Sequence, residues 1–107
     1  MELAELDAGQ VLALCGRLDL PAAADVREAL HRAVDAGSGD LVLDLSGLEI
    51  RDSAGLGVLV GAHRRASRTG RRLVLRDVPP SVHRLLRRTG LHRVLHLATE
   101  PAGLAAG

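Results

Sequence analysis

The stretch Ile50–Ala62, IRDSAGLGVLVGA, decides how this chain is read, because it joins a polar pair to the most apolar helix-like run in the sequence. Asp52 and Ser53 are both good helix N-caps, so the pair marks the start of an α-helix. A helix N-terminus is also where added negative charge is best tolerated. The stretch alone therefore fits either a simple cap or a site for an anion. Gly55, Gly57 and Gly61 each cost ~1 kcal/mol of helix propensity relative to Ala. Leu56, Val58, Leu59 and Val60 cover more than one helix face. Tertiary contacts must then hold this helix, against a sheet or against a partner.

Working outward, the segments alternate. Glu2 to Leu6 reads as a short edge strand and Val11-Leu12-Ala13-Leu14-Cys15 as a second strand. Pro21 suits the first helical position and Gly37 a helix stop, with Ala22, Val26, Ala29, Leu30 and Ala33 on one apolar face between them. Leu41-Val42-Leu43-Asp44-Leu45 reads as a compact buried strand, and the helix opened by the quoted stretch runs to about Thr69-Gly70. Leu73-Val74-Leu75 is the next strand. Pro79-Pro80 opens a third helix with Val82, Leu85 and Leu86 inward and Gly90 closing it, and Val94-Leu95-His96-Leu97 is a last strand. The order β-β-α-β-α-β-α-β predicts an α/β fold: a mixed, mostly parallel sheet of four to five strands covered by helices. One domain over residues 1–107 is expected, with an Ala/Gly-rich tail from about residue 101 read as a short or frayed helix.

Composition narrows the function. The 107 residues contain no Phe, Tyr or Trp, so the core is built from Leu, Val, Ala and Ile. All 14 basic residues are Arg, which removes any mechanism that needs a lysine. The longest run without a polar side chain, Ala54 to Ala62, falls well short of the ~20 residues of a membrane span. The acidic start MELAELD lacks the features of a signal peptide, and the single Cys15 can form no internal disulfide, so a cytoplasmic, reducing location is expected. Residues 1–50 carry three Arg against ten acids, and residues 51–107 carry eleven Arg against three. Arg64, Arg65, Arg68, Arg71 and Arg72 read as cations at and just beyond a helix C-terminus, where positive charge is favoured. Without an aromatic platform for bases, no specific nucleic-acid binding is expected.

The catalytic signatures fail. A nucleophile elbow needs Gly two residues before Ser, where Arg51 stands. Gly55-Leu56-Gly57 is followed by Gly61, one residue late for a dinucleotide fingerprint, and no Gly-Lys-Ser/Thr exists. His92 and His96 lack a third ligand, so no metal and no cofactor is expected. His31, His63 and His83 read as solvated. What remains is an exposed serine at the mouth of a helix, a good place for reversible phosphorylation, since the fold tolerates the charge there and a docked apolar partner does not.

Leu43-Asp44-Leu45-Ser46-Gly47 followed by Asp52-Ser53-Ala54-Gly55-Leu56-Gly57 resembles the STAS domain of bacterial anti-sigma-factor antagonists. The likeness extends to Gly16-Arg17-Leu18-Asp19 and to Pro80 through Leu91. It implies a non-enzymatic regulator with Ser53 as phospho-acceptor. The unphosphorylated form would bind an anti-sigma factor that has serine kinase activity and so free the sigma factor; a serine phosphatase would restore it. Asp19, Asp52, Ser53, Ala54, Gly55, Leu56 and Val58 would form the partner surface, with Leu56 and Val58 as its apolar part. Many members have a second Ser or Thr where this chain has Ala54, and an apolar residue where it has Arg51. The alternatives are a non-switching STAS subunit of a stress-signalling or lipid-transport assembly, with Ser53 only a cap, and a small-ligand-binding STAS domain.

Overall fold

Leucines at alternate strand positions set the architecture. A computed structural model describes residues 1–98. It orders them as β1 (Glu2–Asp7), β2 (Val11–Leu18), α1 (Leu20–Asp35), β3 (Leu41–Ile50), α2 (Ser53–Arg68), β4 (Leu73–Arg76), α3 (Pro80–Thr89), a 3₁₀ turn (Leu91–Arg93) and β5 (His96–Leu97). The sheet runs β1-β2-β3-β4-β5, with β1 antiparallel to β2 and the other neighbours parallel. The mixed, mostly parallel sheet and the element order agree with the sequence. The Ala/Gly-rich tail lies outside the described residues.

Among the described residues, the sheet is covered by helices on one face. Leu41, Leu43 and Leu45 of β3 are fully buried, whereas Val42 and Asp44 between them are only half-buried. Registers carry this pattern across the sheet. Leu43 pairs with Leu12 and Leu75 on the buried face, and Val42 pairs with Val11 and Val74 on the open one. Strands β2 to β5 follow chain order, so right-handed crossovers bring all three helices to the same face. The expectation of a compact buried β3 is corrected accordingly.

The helices meet that face through their own periodicity. On α1 the buried stripe is Ala23, Val26, Leu30 and Val34, displaced from the expected Ala22, Ala29 and Ala33, which are only partly buried. Val82 and Leu86 anchor α3, and Gly90 ends it in the left-handed conformation, at φ 78°. The chain after Gly90 turns again through a 3₁₀ turn. Val94 still has helical dihedrals, so β5 shrinks from the expected four residues to two.

Arg71 closes the end of the sheet where the parallel strands begin. It is 5% exposed, and among the described residues no carboxylate makes an ion pair with it. Its guanidinium donates instead to backbone carbonyls: Nε to Gly39 O (2.9 Å), one terminal nitrogen to Ala33 O (3.1 Å) and Val34 O (2.9 Å), the other to Gly9 O (2.8 Å). These belong to the β1–β2 turn, the last turn of α1 and the α1–β3 loop. Orphan carbonyls at a helix C-terminus carry partial negative charge, which makes them good partners for a cation. Arg71 thus lies just beyond the C-terminus of α2, as the sequence suggests, but its charge is directed at the C-terminus of α1 and the loops beside it. Its neighbours also have partners: Arg65 forks onto Asp35 (3.0 and 2.6 Å) and Arg72 bonds Asp40 (2.8 Å).

The three histidines expected to be solvated, His31, His63 and His83, are all half-buried, and His31 Nε2 and His63 Nδ1 have no hydrogen-bond partner among the described residues. Burial lowers the pKa of His31 and of His63; Arg65 adds to the effect at His31, and His96, whose ring centroid is 5.5 Å away, adds to it at His63.

Replacing Arg71 by Ala strands several buried carbonyls and should cost ~3 kcal/mol or more in urea unfolding. Arg71→Lys should recover only part of this, since one ammonium cannot span the same acceptors. Removing the exposed Arg72 should cost no more than ~1 kcal/mol; equal losses at the two positions would contradict the staple. Stability should also fall as pH drops from 8 through about 6.5, where the unfolded chain's histidines bind protons that folded His31 and His63 resist. Urea melts of a His31→Gln, His63→Gln double variant should lack that drop.

Candidate functional site

Two helices begin side by side at the other end of the sheet. Strand β2 ends at Leu18 and Asp19 caps α1, with Ala22 N–H donating to Asp19 Oδ1 (3.2 Å). Strand β3 ends at Ile50 and Asp52 caps α2, with Ala54 N–H donating to Asp52 Oδ1 (3.1 Å). The second oxygen of Asp52 crosses to the neighbouring helix, where it accepts from Leu20 N–H (3.1 Å). One carboxylate thus satisfies an orphan donor of each helix and ties the two mouths together. Arg51 N–H reinforces the junction by donating to Leu18 O (3.2 Å).

Ser53 is the first residue of α2 and is exposed, beside its cap rather than acting as the cap. Gly57, one turn on along the same side, is also exposed, and a Cβ there would touch nothing within 4 Å. Gly55 does the opposite work. A Cβ on it would lie 2.9 Å from Leu18 O and 3.0 Å from an Ile50 methyl, so its absence lets α2 start directly against the strand ends. The Arg51 guanidinium pairs with Glu49 (2.7 Å), so it is already engaged with a carboxylate. An open cleft of about 640 Å³ adjoins the two mouths, lined by Gly16, Arg17, Asp19, Pro21, Gly47 and Glu49 among others.

The structure brings Asp19, Asp52, Ser53 and Ala54 together at this surface, with Ala54 half-buried. It places Gly55, Leu56 and Val58 in the core instead: Leu56 is 7% and Val58 3% exposed. Their side chains fill the space between helix and sheet, so they offer no apolar docking patch. The large apolar side chain that does face solvent beside Ser53 is Leu20, 70% exposed. Sequence reasoning passed over it as the residue before Pro21; an unpatterned leucine at a helix start was the available signal. His92 and His96 do not meet: His92 lies against Leu86 O, and His96 against His63. Among the described residues, no three His, Cys, Asp or Glu side chains gather as metal ligands, and no helix is long and apolar enough to cross a membrane.

Comparison with known proteins gives the same placement. The family model described as "Mlab, STAS domain" matches residues 1–98. The chain belongs to the STAS domain family. It is 34% identical over 86 residues to an anti-sigma F factor antagonist of Paenibacillus polymyxa, covering 79% of this chain and 74% of that one. It is 28% identical over 82 residues to an anti-sigma-B factor antagonist of Staphylococcus aureus, covering 77% and 76%. Among solved structures, the anti-sigma factor antagonist SpoIIAA in its unphosphorylated form superposes with a TM-score of 0.70 at 25% identity, over 95% of this chain and 90% of that one. A variant RsbS of Moorella thermoacetica gives 0.71 at 30% identity, over 92% and 86%.

Truncating Asp52 removes an acceptor from both helices of this STAS domain. Asp52→Ala should cost about 1–2 kcal/mol, equivalent to a fall of several degrees in Tm. Asp52→Asn keeps one oxygen acceptor and should fall between that variant and the parent. A melt of Asp52→Ala superimposable on the parent's would show that the shared carboxylate does not join the mouths in solution.

Proposed function

We propose that this chain is an anti-sigma factor antagonist switched by phosphorylation of Ser53. The observation that carries the reading is an exposed serine hydroxyl at the first position of α2, on a surface built from two helix mouths, in a chain whose relatives are named as antagonists. The unphosphorylated domain binds an anti-sigma factor with serine kinase activity across Asp19, Asp52, Ser53 and Ala54. In transfer, Ser53 Oγ bonds to the γ-phosphorus of ATP, ADP leaves, and the hydroxyl proton passes to a base of the kinase. A serine phosphatase reverses the modification by hydrolysis, returning the hydroxyl and inorganic phosphate.

The switch follows from where the cost of charge falls. A phosphoserine carries about −1.5 to −2 charges at pH 7. In the free protein it meets the positive end of α2, worth ~0.3–1 kcal/mol, and the repulsion of Asp52, of order 1 kcal/mol per unit charge through water. The balance is a net cost of about 1 kcal/mol, small beside the ~5–15 kcal/mol stability of a folded domain, so the fold persists. In a complex the same group is stripped of water, at several kcal/mol. Modification therefore acts on binding and spares folding.

The test is purification of the source organism's anti-sigma factor kinases and incubation of each with the domain and ATP. One phosphate should be gained, mapping to Ser53; mapping to Ser46, Ser67 or Ser81 would overturn the residue assignment, and no transfer at all would return Ser53 to the role of a plain helix start. Ser53→Asp should melt close to the parent yet bind the kinase at least ~30-fold more weakly in calorimetry, since 1.4 kcal/mol is tenfold. Ser53→Ala should fold, bind and ignore ATP.

A further inference from the structure

The chain leaves Leu20 70% exposed at the first position of α1, although burying such a side chain is favourable wherever a fold can do it. Of the other exposed large hydrophobics among the described residues, Met1 is half as exposed and precedes β1, Leu6 lies on β1 and Val94 beyond the 3₁₀ turn, whereas the Leu20 backbone bonds the residue that precedes Ser53. Its position is also fixed, because its own N–H is held by Asp52, whose other oxygen caps the helix that begins with Ser53. Asp19, next to it, takes part in no ion pair among the described residues. The bond to Asp52 fixes the Leu20 backbone next to the start of α2, so less backbone freedom is left to lose on binding.

We propose that Leu20 is the apolar anchor of the docking surface around Ser53, and that Asp52 is the residue that positions it; this rests on the antagonist reading. The occupant is the anti-sigma factor kinase, which presents an apolar pocket to Leu20 and a cationic group on the Asp19 side. Leu56 and Val58 cannot serve, being in the core, so the apolar contribution comes from the neighbouring helix. Asp52 then has a second task beyond capping. It holds the anchor at a fixed distance from the serine that is modified.

The test uses the purified kinase that transfers phosphate to Ser53, with the whole chain as substrate. Leu20→Ala should raise both Kd and KM at least tenfold, leave kcat and the thermal melt unchanged, and be rescued by Leu20→Met. Asp52→Ala should also weaken binding, by its own contact and by releasing Leu20, so Leu20→Ala should cost clearly less in the Asp52→Ala background than in the parent. Phosphorylation of Ser53 with unaltered Kd and KM in Leu20→Ala would overturn the anchor and leave the antagonist reading standing. Additive losses in the double variant would overturn the positioning role of Asp52. A change confined to self-association, read by sedimentation, would assign Leu20 to contact with a second copy and overturn the proposal. Failure of every kinase to modify the parent at Ser53 would remove the antagonist reading and the anchor with it.

Discussion

The architecture depends on a buried cation that is held by backbone carbonyls. Arg71 joins three separate pieces of chain, the β1–β2 turn, the end of α1 and the loop into β3, through their carbonyls. An aliphatic core is non-directional and tolerates sliding. This core has no aromatic side chain to fix its geometry. A planar guanidinium with its donors in a rigid fork supplies the direction the leucines lack. Gly37 completes the arrangement: a Cβ there would lie 3.3 Å from the guanidinium nitrogens and 2.9 Å from Gly9 O.

With one end of the sheet fixed, the strand ends at the other are fixed too, and the site inherits that rigidity. Gly55 brings α2 directly against Leu18 and Ile50, and Asp52 couples α2 to α1. The surface so formed is small, polar and already satisfied in its hydrogen bonds. Its chemistry lies in an exposed hydroxyl and an exposed leucine, neither of which the fold itself requires. In the proposed switch, charge at Ser53 alters this surface while the scaffold stays as it is.

Much of this was legible in the sequence. The element order followed from period and punctuation, because Pro21, Pro80 and Gly90 mark helix ends by their own backbone preferences. The Asp52–Ser53 junction was legible for the same reason. What stayed hidden was long-range. Arg71 reads like its neighbours Arg68 and Arg72 because burial comes from the chain at Gly9 and Gly39, distant in sequence. The burial of Leu56 and Val58 was missed because an all-round apolar helix start fits a partner surface as well as a core. β3 read as a compact buried strand because Val42 sits between leucines, and the placement of all three helices on one face leaves Val42 only half-buried.

The central claim is that charge at Ser53 changes the surface and leaves the scaffold alone. Amide chemical shifts of protein carrying phosphoserine at position 53, compared with the unmodified chain, test it most directly. The account predicts perturbations confined to residues 19–22 and 51–57, with the Arg71 Nε–H and the amides of Gly9 and Gly39 unmoved. Shifts that reach Arg71 and its carbonyl partners, or a collapse of amide dispersion, would contradict it.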